Sequence, residues 1–330
     1  MPVGSEDWRP AADFAALRLR AALNARVRSY FAAHGVIEVE TPVMSVAGNT
    51  EPNIASFTVD FSGRTDGAPR TRWLRTSPEY PLKRLLGAGF GDCYELGRVF
   101  RNGEAGSRHN PEFTMLEWYR VGWDHRRLAE ETAAVINLGL DLVGRHAPLV
   151  HVRYRDLYFG QLGLDPLTAT DNELRNALGD GVVMDPRGLL RDDWLDLLMT
   201  HRLQPAFDDG CMLAVHDYPA TQSALARLRD DGDGTPVAER FELYLGALEV
   251  ANGYHELTDF SEQGARFQRD GRIRQSRADT VPPTDQRLLA ALEHGLPDCA
   301  GVALGVDRLM MAMLRTGRIA DVVAFDFFRA

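Results

Sequence analysis

The residues between 95 and 120 place a guanidinium, a carboxylate, a phenol and an aromatic ring on what reads as one strand, a polar loop and a second strand. Strand side chains alternate with period two, so Glu95, Gly97, Val99 and Arg101 share one face of the first strand. Phe113, Met115, Glu117 and Tyr119 share one face of the second. Unpaired buried charge is costly. Such a face is therefore either wetted by solvent or built to meet a charged ligand. The loop Asn102 to Asn110 carries Arg108 and His109 and can fold over an anion.

Two further segments carry chemistry. Glu242 and Glu249 are seven residues apart and would face opposite sides of one straight strand. A turn around Gly246 pairs the two limbs and brings both carboxylates to one place, the arrangement a hard divalent cation needs. Asn252-Gly253 gives another break, after which Glu256 can point back to the same cavity. Taken alone, three glutamates in a β region also suit a solvated face. The third segment, Gly301 to Met311, reads as a small-residue strand entering a helix. Gly305 permits close backbone approach to a ligand, and Arg308 falls in the first helical turn, where free N–H groups already favour anions. Alone, it is equally an ordinary strand–helix junction with a surface arginine.

The elements that must hold these residues are legible in outline. Leu19, Leu23, Val27, Tyr30 and Phe31 predict a helix over 19–34 that stops at His34-Gly35. Residues 36–40 follow as a strand, closed at Thr41-Pro42. Phe57 to Phe61 is strand-like. Ser77 reads as the N-cap and Pro78 as the first position of a helix running through Leu86. A helix is expected over 126–143, strands over 237–260 and a polar helix over 261–277. Residues 145–235 read as a helical, loop-rich insertion without convergent polar groups. Within it, Asp230 to Gly234 resembles a calcium loop only in composition and lacks the later glutamate.

Composition bounds the partners. The chain has 330 residues, 45% of them apolar and 25% charged, with 37 basic against 47 acidic side chains and a formal charge of −10. A grip on a nucleic-acid backbone ordinarily shows as a basic surplus or stripe; this balance points away from one. Cys93, Cys211 and Cys299 are odd in number, far apart and without metal-ligand spacing, which suits a reducing compartment. No signal peptide or membrane-length apolar run is read, so a cytoplasmic protein without a membrane partner is expected.

In order and spacing, the segments resemble the three signature motifs of class II aminoacyl-tRNA synthetases. Residues 19–42 resemble the first, 98–120 the second and 301–311 the third. The resemblance is closest to the lysyl-tRNA synthetase branch, through Thr76-Ser-Pro-Glu79, Arg101-Asn102, Arg108-His-Asn-Pro-Glu-Phe-Thr114 and Glu117. It covers the chain from about residue 10 onward. It implies an α+β fold, an antiparallel β-sheet flanked by helices, as a single catalytic domain over 1–330 that forms a homodimer through the first motif. With that motif beginning so near Met1, no room is expected for the anticodon-binding OB-fold. Chains of that design resemble the elongation factor P–lysine ligases, notably in Glu112 to Arg120, His255 to Asp259 and Gly301 to Arg308. That family activates (R)-β-lysine with ATP and transfers it to a lysine of elongation factor P, with no tRNA.

By this resemblance, Arg101 and Arg308 are the catalytic cations. Arg101 clamps the α-phosphate and the amino-acid carboxylate, and Arg308 holds the distal phosphates with His109. Phe113 stacks on adenine, Gly305 lets the nucleotide lie close, and Asn102, Gly103, Asn110, Glu249 and Val250 complete the ATP set. Glu242 and Glu249 hold Mg²⁺. Glu117, Tyr119 and Glu256 receive the side-chain ammonium of lysine or (R)-β-lysine, while Ser77, Pro78, Glu79 and Asn252 orient its other end. Two residues depart from the wider family. Gly103 stands where a glutamate is usual, which shifts any contact there to Glu104 or loses it. Ala303 replaces a glycine, and its methyl at the pocket floor could favour a β-amino acid. The alternatives are a truncated lysyl-tRNA synthetase acting on tRNA and a non-catalytic regulatory paralogue that binds amino acid.

Overall fold

The computed structural model describes residues 8–179 and 188–330. Its strands are β1 (Ile37–Glu38), β2 (Met44–Ser45), β3 (Thr58–Asp60), β4 (Thr71–Leu74), β5 (Cys93–Phe100), β6 (Glu112–Val121), β7 (Leu149–Arg153), β8 (Met212–Pro219), β9 (Leu228–Asp230), β10 (Pro236–Leu245), β11 (Leu248–His255) and β12 (Cys299–Gly305). Its α-helices are α1 (Phe14–Ala33), α2 (Glu79–Gly87), α3 (His125–Leu140), α4 (Tyr154–Leu162), α5 (Asp171–Leu178), α6 (Arg191–Leu198), α7 (Phe260–Ser276), α8 (Gln286–Gly295) and α9 (Val306–Leu314). The large sheet runs β1-β5-β6-β12-β11-β10-β8-β7, with β9 on β10, and a small sheet runs β2-β4-β3. The pairs β1–β5 and β7–β8 are parallel and the others antiparallel, so the sheet is mixed and mostly antiparallel, as the α+β reading requires.

Strand alternation separates core from site. In β6, Leu116 and Trp118 point to one face, where they meet Leu23, Val27 and Phe31 of α1, Ile136 of α3 and Leu309 and Met310 of α9. Val302 and Leu304 of β12 and Phe241 and Leu243 of β10 join the same cluster. Each such fully buried side chain contributes about 1.5–3 kcal/mol relative to exposure. The intervening residues, Met115, Glu117 and Tyr119 of β6 and Gly301, Ala303 and Gly305 of β12, are thereby pointed to the opposite face, and all of them line one cavity.

α1 begins earlier than its apolar spacing predicts, because Asp13 caps it by accepting from the Ala16 N–H. α2 begins at Glu79, one residue later than expected. Ser77 Oγ accepts from the Glu79 N–H at 2.9 Å but donates to Glu117 Oε2 at 2.6 Å, so the hydroxyl serves the cavity as well as the helix start.

The reading of 145–235 as a helical insertion needs correction. It contains α4, α5 and α6, but β7, β8 and β9 also fall within it and belong to the large sheet. Leu213 to His216 pair with Tyr244 to Phe241 of β10. Met212 to Tyr218 is a nearly continuous buried run, and a strand buried on both faces loses the alternation that advertises it. Residues 180–187 of that segment lie outside the described residues.

Candidate active site

A cavity of about 540 Å³ opens on the site face of the sheet. Its floor comes from β6, β12, β11 and β10, its near wall from Ser77 and Glu79 at the start of α2, and its rim from the loop bearing Glu104, Arg108, His109 and Asn110. The hairpin β10–β11 supplies the carboxylates. Gly246 adopts φ 54° in a two-residue turn, and Tyr244 pairs with Glu249 while Glu242 pairs with Asn252. Because Leu243 pairs with Ala251, Leu243 and Tyr244 on β10 oppose Glu249, Val250 and Ala251 on β11, a β-bulge at Val250. The turn puts Glu249 on the face of Glu242, and the bulge keeps Asn252, Tyr254 and Glu256 on that face. Without the extra residue, these three would rotate away.

One end of the cavity is cationic. Arg101 lies with its guanidinium carbon 5.1 Å from the Phe113 ring centroid and 3.8 Å (Nη1) from Glu104 Oε1, while its buried Nε has no partner. Arg308 donates to the Glu249 carbonyl at 3.1 Å and to its carboxylate at 3.3 Å. It also donates to His109 Nε2 at 2.9 Å. A guanidinium has no acceptor, so His109 Nε2 is the unprotonated nitrogen, and burial together with Arg308 pulls the imidazole below its ordinary pKa. Glu242 is held by Arg240 and by the Tyr244 hydroxyl. Burial, and then Glu242, raises Glu249. Glu242 and Glu249 thus face one point from the two limbs of the hairpin, a carboxylate pair that a hard divalent cation can take.

The other end is anionic. Glu117 is buried and accepts from Ser77 Oγ at 2.6 Å and from the Tyr119 hydroxyl at 2.9 Å. Burial, then the charges of Glu79 and Glu256, nevertheless pushes it up to about 8. Glu256 is pushed up to about 7, by burial first, with Lys83 opposing. Lys83, itself outside the cavity lining, sits behind with Nζ 2.6 Å from Glu79 Oε1 and 2.6 Å from Glu256 Oε2. Gly301 keeps the floor open: a Cβ there would collide with Tyr119 and Glu256. A Cβ at Gly305, in contrast, meets nothing closer than the Arg308 side chain at 3.7 Å, so the room above it faces the cavity. Ala303 pairs with Glu117 on one side and Asn252 on the other, at mid-slot, and the buried Oδ1 of Asn252 has no partner.

Of the residues expected at a site, Ser77, Glu79, Arg101, His109, Asn110, Phe113, Glu117, Tyr119, Glu242, Glu249, Val250, Asn252, Glu256, Ala303, Gly305 and Arg308 all line this cavity. Pro78, Asn102 and Gly103 do not. Pro78 is spent on starting α2. Asn102 is tied by its N–H to the Ala55 carbonyl at 2.8 Å, and Gly103 makes the turn at φ 85°. Asn110 also anchors the C-terminal segment, accepting from the Phe327 N–H at 2.8 Å. Sequence reading missed Lys83, Arg240, Tyr218 and the acidic face of α6, where Asp192, Asp193 and Asp196 line the cavity opposite buried Trp194, Leu195 and Leu198. The i,i+4 spacing of Asp192 and Asp196 against that apolar stripe was the available signal.

Residues 7–328 match the family described as tRNA synthetases class II (D, K and N). A protein of Mannheimia succiniciproducens named elongation factor P–(R)-β-lysine ligase is 43% identical over 320 residues, 97% of each chain. Proteins of the same name from Yersinia enterocolitica and Vibrio cholerae are each 43% identical, over 98% and 99% of both chains respectively. The chain belongs to the class II tRNA synthetases of the D, K and N group, beside relatives named for the lysine modification of elongation factor P.

Proposed function

We propose that this protein activates (R)-β-lysine, or lysine, with ATP and transfers it to the ε-amino group of a lysine on elongation factor P. The observation that carries this reading is the polarity of one cavity: Arg101 and Arg308 at one end, and Glu79, Glu117 and Glu256 at the other. In the first step the amino-acid carboxylate attacks the α-phosphorus in line and the bond to pyrophosphate breaks. Negative charge grows on the phosphoryl oxygens, so positioned cations supply most of the acceleration. Arg101, with a free Nε and a planar fork, suits both the α-phosphate and the carboxylate. Arg308, next to neutral His109, suits the distal phosphates, and Phe113 offers a face to adenine. Glu242 and Glu249 would hold Mg²⁺, which neutralises phosphate charge when bound. In the second step the acceptor's neutral amine attacks the acyl carbon and AMP leaves.

Glu117, Tyr119 and Glu256 suit the distal ammonium of the diamino acid, and Ser77, Glu79 and Asn252 suit the other amine. Ile37 on the edge strand β1 is exposed, which supports a homodimer through that edge. Cys93, Cys211 and Cys299 are all unbridged, which supports a cytoplasmic location. Among the described residues no helix is long and apolar enough to cross a membrane. The test is ATP–pyrophosphate exchange with lysine and (R)-β-lysine, followed by mass measurement of elongation factor P and, in parallel, of tRNA charging. An added aminoacyl mass on the protein and uncharged tRNA are expected. The reverse result would overturn the reading.

A further inference from the structure

The buried ammonium of Lys83 has no place in the reaction outlined above, although it touches carboxylates from both amine-binding ends of the slot. It is 1% exposed, held between α2 and the sheet by the cluster of Leu82, Leu86, Cys93, Leu288 and Cys299. Its Nζ reaches Glu79, its own helical neighbour four residues back, and Glu256, which follows β11. Glu79 serves one end of the slot and Glu256 the other. We propose that Lys83 is a specificity-determining positioning residue: it cancels one of three slot carboxylates, leaves two negative charges for the two ammonium groups of a diamino acid, and fixes the spacing between their acceptors. The inference rests on the proposed function for the identity of the substrate class, and it assigns how that class is selected.

The physical argument is one of charge count and geometry. Burying carboxylates without cations is costly, and each cation removed leaves the rest under-compensated. With Glu79, Glu117 and Glu256 against Lys83 alone, the slot without ligand is two charges short of neutral. It meets that deficit with protons, in keeping with the upward shifts of Glu117 and Glu256. The groups facing these carboxylates are Ser77 just before α2, Lys83 from α2, Tyr119 from β6, His255 from β11, and the thiols Cys93 and Cys299 behind them. His255 is already engaged with Glu239 and Asp298 at 2.9 and 2.8 Å, so Lys83 is the cation placed to balance the slot. Burial pulls its own pKa down, but Glu256 and Glu79 outweigh burial and keep it protonated. An ammonium shared between the two ends locks their distance, so substrates are sorted by the separation of their amines as well as by charge.

Amino-acid-dependent ATP–pyrophosphate exchange tests this with Lys83→Met. The variant is expected to raise the amino-acid KM about tenfold or more with the ATP KM unchanged. An unchanged amino-acid KM, or an ATP KM raised as much, overturns the proposal. If Lys83→Met fails to fold, calorimetry on the unaltered protein decides. In buffers of different ionisation enthalpy, a diamino acid is expected to release more protons near pH 7 than 6-aminohexanoate, which has one ammonium. Equal proton release from both overturns the charge count. If no diamino acid supports exchange in the unaltered protein, the proposed function fails instead, which separates the two failures.

Discussion

Two buried clusters of carboxylates and cationic side chains have opposite charge balance. In the slot, three carboxylates share one internal ammonium. In the other, on the far side of β10 from the hairpin turn, His125, His216 and Asp217 converge within 4.8 Å, a grouping that invites a metal reading. There, however, a single carboxylate is surrounded. Asp217 meets Arg229 at 2.6 Å, His216 at 2.9 Å, Arg126 at 3.2 Å and His125 at 3.6 Å. Burial pushes Asp217 up, but those hydrogen bonds and charges outweigh it and hold it far below the ordinary carboxylate range. A cation entering would meet guanidinium groups already in place. The contrast teaches that charged residue types do not mark a ligand site; an unmet charge does. The saturated cluster is architecture, and the deficient one is the proposed receptor.

The largest expected effect breaks the architectural side. Asp217→Asn leaves clustered cations uncompensated and is expected to lower stability by about 3–5 kcal/mol, read as the midpoint of denaturant unfolding, with the amino-acid KM of the folded protein unchanged. A raised KM would make Asp217 part of the receptor. Next, Glu117→Gln removes one slot charge. It is expected to weaken the exchange reaction's amino-acid dependence about 10- to 100-fold while leaving the unliganded protein as stable as before or more so, the reverse of Asp217→Asn. Loss of stability in Glu117→Gln would erase the distinction.

A pH series sharpens the same contrast. Glu117 and Glu256 have folded pKa values raised above the unfolded value of 4.5. The folded state therefore holds more protons than the unfolded chain between pH 4.5 and 8, and unliganded stability falls as pH rises through that window. Asp217, with a lowered folded pKa, contributes fully across the window and loses its contribution only as pH falls below its unfolded value of 3.8. Lysine added at saturation is expected to raise the melting temperature by more at pH 8 than at pH 6. An equal rise at both would remove the carboxylates from binding. The smallest effect is at mid-slot: Ala303→Gly, which deletes the methyl between Glu117 and Asn252, is expected to shift the ratio of (R)-β-lysine to α-lysine activation several-fold, and an unchanged ratio counts against that role.

Much of the site could be read in advance because its parts are local. The alternation in 113–119 put Glu117 and Tyr119 on one face, and the turn at Gly246 joined Glu242 to Glu249. The register between strands far apart in sequence was not readable, and neither was the packing that turns an ordinary-looking Glu79–Lys83 helical pair into a buried ion pair. Asp192 and Asp196 escaped for a related reason: an acidic helix face reads as solvent-facing until β8 and β10 are known to stand beneath it. β8 escaped because burial on both faces leaves no period-two pattern.

The β-bulge at Val250 makes the site depend on a residue count as well as on residue identity. Deleting Ala251 would leave every functional side chain in the chain and the hairpin still paired, yet turn Asn252, Tyr254 and Glu256 toward the oily side of the sheet. Substitutions along this stretch can be graded and repaired one by one; a change in its length is all-or-nothing, so this short run is where the protein is least able to tolerate drift in its genetic spacing.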